Sequence, residues 1–113
     1  MPATGAPASL ALTTVSQTLY ANAAADAKRR TVQAIFTNLT GAAGADHTAT
    51  LSWTDASAGN AATALVVAGK VEKQNILIGP VKVLEPGDTL TALASAVGVV
   101  VASINILNEE PNA

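Results

Sequence analysis

The chain has 113 residues of even composition, half of them apolar but only 3% aromatic, with 12% charged residues and no cysteine. That predicts one domain with a core of Ala, Val, Leu and Ile, and it excludes a disulfide framework or thiolate metal site. A net charge of −2 argues against a nucleic-acid binder, which needs clustered Lys and Arg to displace phosphate counterions.

Residues 1–9 hold Pro2, Gly5 and Pro7 among Ala and Thr, the composition of an extended N-terminal arm. A first strand is expected within 10–20. Residues 21–28 are rich in Ala but too short for a stable helix and read as a loop or single turn. In 30–40, Val32, Ala34 and Phe36 share one face while Ile35 and Leu39 share the other, so both faces look partly buried. Residues 40–46 carry two glycines and Asp46, a turn composition.

The clearest pattern is 47–55, where Ala49, Leu51 and Trp53 alternate with Thr48, Thr50, Ser52 and Thr54, the period of two of a half-buried strand. Trp53 is expected to be the largest core contributor. After a turn at 56–60, residues 63–68 predict a short strand ended by Gly69, and 70–78 a polar approach followed by a buried run, closed by Gly79 and Pro80. Val81 and Val83 lead to Glu85-Pro86-Gly87-Asp88, which fits a type II turn with Pro at the second position and Gly at the third. Trp53, Pro86, Gly87 and Asp88 are thus read as architectural residues. Leu90, Ala92 and Ala94 share a face, Gly98 marks a turn, and 99–107 is a last strand before an acidic tail.

The sum is about seven or eight short strands with no convincing amphipathic helix, which predicts an all-β antiparallel sandwich or jelly roll. Its expected bounds are 10–108, between the arm 1–9 and the tail 109–113. The longest apolar stretch, 92–102, is interrupted by Ser95 and Gly98 and falls short of a membrane helix. No basic residue precedes Lys28 and polar residues occupy the place of an apolar signal core, so no export signal is expected.

Chemistry-bearing residues are few. Asp46, His47 and Asp55 suit a metal or acid–base cluster by type, but a strand of this length sets the two carboxylates about 30 Å apart. His47 has no second ligand nearby in sequence. Glu85 and Asp88 could hold calcium at a hairpin tip, although Asp after Pro-Gly more commonly caps backbone N–H groups. Gly69-Lys70 is not a phosphate loop, because the glycine needed five residues earlier is Ala64. No catalytic set, metal or cofactor is therefore expected. Lys28-Arg29-Arg30 is the only basic run; it is either a solvated loop or a docking point for an acidic partner, and the scarcity of charge elsewhere favours docking.

Three stretches taken together, Leu19-Tyr20-Ala21-Asn22, Phe36-Thr37-Asn38-Leu39-Thr40 and the segment 83–92 around Leu84-Glu85-Pro86-Gly87-Asp88, resemble the small β-sandwich virion proteins of tailed bacteriophages. The resemblance implies a non-enzymatic capsid decoration or cement protein in the virion, assembled in the host cytoplasm. It would bind the major capsid protein or other virion subunits, and would do so as a homo-oligomer, with a trimer favoured. A neck, tail or fibre subunit is the alternative within that class. Outside it stand a receptor- or carbohydrate-binding module, for which only Tyr20 and Trp53 offer large stacking rings, and a metal-dependent jelly-roll enzyme, which needs two or three His where this chain has one.

Overall fold

The computed structural model describes residues 10–22, 28–40, 45–59 and 61–111. Eight strands make up nearly all of it. They are β1 (Leu10–Ala11), β2 (Gln17–Ala21), β3 (Lys28–Asn38), β4 (His47–Asp55), β5 (Ala61–Val71), β6 (Ile76–Leu84), β7 (Thr89–Ala94) and β8 (Val100–Pro111), with one 3-10 turn at Ala56–Ala58. They form two four-stranded sheets of order β1-β8-β3-β6 and β2-β7-β4-β5, antiparallel throughout.

The pairing has a simple rule: first with last, second with seventh, third with sixth, fourth with fifth. This is one long hairpin folded over on itself, the jelly-roll form of the sandwich. The added pairs β3–β8 and β4–β7 join the wraps into sheets.

Alternation explains most of the layering. On β3 every second residue from Arg30 to Asn38 is buried, and Val32, Ala34 and Phe36 meet Ala49 and Leu51 of β4 and Leu90, Ala92 and Ala94 of β7 in one core. Phe36 is the bulkiest apolar side chain wholly inside, and the rest is aliphatic. Each fully buried Leu or Phe contributes roughly 1.5–3 kcal/mol by leaving water.

Several expectations are corrected. The segment 10–20 is not one strand: it crosses between sheets at residues 12–16, where the Thr13 hydroxyl and the Gln17 side chain accept backbone N–H bonds from Val15 and Thr13. Trp53 packs against the core but is only partly buried near the end of β4, so Phe36, not Trp53, is the largest apolar side chain wholly inside. Ile76 and Ile78 are exposed rather than part of a buried run. Residues 109–111, expected in the tail, continue β8 because Lys28, Arg29 and Arg30 of β3 supply partners for Pro111, Glu110 and Glu109. The arm 1–9 lies outside the described residues.

The corner at 85–88 takes the predicted form. Gly87 has φ +93°, which glycine adopts without a Cβ penalty, and the Asp88 N–H donates to the Glu85 carbonyl at 3.0 Å.

Candidate functional site

Asp88 organises one end of the sandwich. Its side chain is fully buried and accepts three N–H bonds, from Ala56 at 2.9 Å, Glu85 at 3.0 Å and Trp53 Nε1 at 3.1 Å. It therefore closes its own turn and also fastens that turn to the end of β4. Both oxygens are engaged by donors, and Glu85 faces Arg29 instead, so the two carboxylates do not converge as a calcium site would need. The Lys82 ammonium lies 3.5 Å from the centre of the Trp53 ring, a cation–π contact that covers the face a sugar would stack on.

Next to Asp88 sits Asn22. Its Nδ2 donates to the carbonyls of Lys28 and Leu84, and its Oδ1 accepts from Arg30 at 2.6 Å. Because Asn22 follows β2 and Leu84 ends β6, this one amide ties the two sheets together. Arg30 also donates from Nε to Glu109 at 2.7 Å.

The basic run is thereby divided. Arg30 is only 2% exposed, turned inward because it shares the phase of Val32, Ala34 and Phe36 on β3. Arg29 points the other way, its Nε 3.1 Å from Glu85 Oε2 in an ion pair that is off the hydrogen-bond direction. Lys28 is exposed. The three residues do not make one compact positive point, and the phase of Arg30 with the core residues was the sequence signal for it.

The opposite end is built on Asn38. Its Nδ2 donates to Val71 of β5 and to Ala45, while its Oδ1 accepts from the Thr40 N–H and hydroxyl. Asp46 accepts from the Lys73 N–H at 3.0 Å and pairs with Lys70 at 3.3 Å. That N–H first, and then Lys70, hold its carboxyl below the ordinary value of 3.8. His47 faces the Ser95 hydroxyl at 3.4 Å, and Asp55 caps the 3-10 turn through Ser57. Asp55 thus stands at the far end of β4 from Asp46 and His47, and among the described residues no group of three or more His, Cys, Asp or Glu lies together.

The two outer faces are the broadest features. On the β1-β8-β3-β6 sheet, Ile76 lies beside Thr37 and Val101, Ile78 beside Ile35 and Ser103, Val81 beside Gln33 and Asn105, and Val83 beside Thr31 and Asn108. None of these residues is charged. The four β6 side chains are 43–57% exposed. They share one face only because the register slips at Gly79-Pro80, which resets the alternation. Gly79 lets the two strands approach closely there, since a Cβ would stand 3.0 Å from the Ala34 carbonyl oxygen, a contact the backbone would have to relieve. The first charged row is Arg29, with Glu110 across from it and Glu85 beside it.

The other sheet presents hydroxyls instead: Thr54 beside Thr89, Ser52 beside Thr91, Thr50 beside Leu93, and Thr48 beside Lys70. The exposed aliphatic row on β6 escaped sequence reasoning because Ile76-Leu77-Ile78 reads as a buried run. Only the bulge that follows reveals which residues point outward.

Protein-family models, curated proteins and solved structures were compared with the chain, and none of them matches it.

Proposed function

We propose that the chain is a non-enzymatic structural subunit of a virion, a capsid decoration protein that binds the assembled head. Its partners are the major capsid protein or other virion subunits and copies of itself. The observation that supports this reading is the pair of outer sheet faces, one with four uncharged rows that are aliphatic along β6 and the other presenting mostly hydroxyls. A soluble chain that works alone keeps charge spread over its surface, and a broad apolar patch rimmed by polar groups marks a contact surface. The clamped ends suit the same task, because a subunit that binds only the assembled shell stabilises it by mass action and must hold its own shape to do so.

The test is the particle. Virions encoded by the same genome, banded in a density gradient, should carry the chain in many copies per head, and heads assembled without it should break at lower temperature. Its absence from banded particles, with all of it left in the cleared lysate, would overturn the reading. Recovery with separated tails would move it to the neck or tail.

A further inference from the structure

We infer that the outer face of the β1-β8-β3-β6 sheet is the contact between two copies of this chain, packed face to face about a two-fold axis. The inference goes beyond the virion reading and holds for the isolated chain. Four cross-strand rows carry no charge, and Ile76, Ile78, Val81 and Val83 are each about half exposed along β6. An acidic or basic partner would be chosen by complementary charge, and this face offers none until the Arg29–Glu85 pair at its border. A neutral face meeting its own copy sets no like charges against each other, which is the condition an isologous contact must meet.

The size sets the strength of the contact. With strands about 4.8 Å apart and same-face residues about 6.7 Å apart along each strand, the uncharged rows cover roughly 400 Å² in plane. That is about half the ~800 Å² per partner of a standard interface, so the pair belongs to the small, concentration-dependent class. Association through the β6 edge is disfavoured, since the Gly79-Pro80 bulge interrupts the strand and proline lacks the N–H that edge pairing uses. Face packing at about 10 Å between sheets remains. The hydroxyl-rich face of the second sheet would then look outward from the pair.

The experiment is light scattering on the full chain after size exclusion, over a range of concentrations. At the upper end of that range the wild type should elute at twice the 11.2 kDa chain mass. Ile78→Lys sets two ammonium groups against each other across the axis and should weaken the pair by about 100-fold or more. Val81→Thr, nearly isosteric and safe for folding, should weaken it about tenfold. Thr91→Lys, on the opposite sheet, should leave it unchanged, and circular dichroism checks that each variant is folded.

A wild type that stays single at about 100 μM would overturn the inference. So would a trimeric mass, since an isologous face closes at two copies, or a Thr91→Lys variant that dissociates as readily as Ile78→Lys. A single-copy wild type that loses binding to purified particles on Ile78→Lys would assign the face to the shell and equally overturn the two-copy contact. Failure of the particle experiment leaves this one intact.

Discussion

The two ends of the sandwich solve the same problem with different chemistry. At each, a buried asparagine reaches across from one sheet to the other, Asn22 to Leu84 and Asn38 to Val71. The Asn22 end adds buried charge, with Arg30 against Asn22 and Glu109, and Asp88 holding three N–H groups. The Asn38 end keeps its charge at the surface, in the Asp46–Lys70 pair. A neutral amide loses hydrogen bonds when it is removed, whereas a buried charge that loses its partner also suffers uncompensated desolvation. The charged end is the more exacting and should fail harder.

The largest effect should therefore follow Arg30→Ala, which takes a buried cation from Asn22 Oδ1 and Glu109 and opens a cavity beside the core. The lost packing of a large buried side chain and the loss of the donor to the buried Asn22 Oδ1 should lower unfolding stability by about 3–5 kcal/mol in urea titration. A loss under about 1 kcal/mol would mean that the Arg30 network does not hold this end. Asn38→Ala, the matching cut at the neutral end, should cost about 2 kcal/mol. If it matched Arg30→Ala, the distinction between the ends would collapse.

The smallest effect belongs to Asp46, whose carboxyl is exposed and held below 3.8 first by the Lys73 N–H and then by Lys70. A carboxyl with a lowered folded pKa lends stability that is present above its unfolded value and disappears as pH falls through the folded one. Asp46→Asn should thus be slightly less stable than wild type at pH 7, and the two urea midpoints should converge as the pH drops below 3.8. A gap that persists in acid would assign the effect to the backbone bond rather than the charge.

Much of the sandwich was legible in the residues. The Ala49, Leu51, Trp53 alternation placed β4, and Pro86-Gly87 fixed the corner that the structure contains. What escaped was set by partners far away in sequence. Arg30 reads as the third member of a basic run until Glu109 and Asn22 are seen beside it. Residues 109–111 read as a tail until β3 supplies a ladder for them. Trp53 has the right phase for the core, but it lies where β4 nears its end, and there the Asp88 carboxylate and Lys82 draw it to the rim. The outward aliphatic row on β6 depends on a bulge, and one inserted residue reverses every later side chain.

The folded-hairpin pairing also governs the order in which the chain can form. Among the described strands only β4 and β5 pair across a short connection, while β3–β6, β2–β7 and finally β1–β8 enclose progressively longer loops. Closing each loop costs entropy that grows with its length and is recovered only when the enclosed strands are in place. The Trp53 hairpin is therefore the natural seed, the sheets zip outward from it, and the contact of Leu10 with Ala102 closes last.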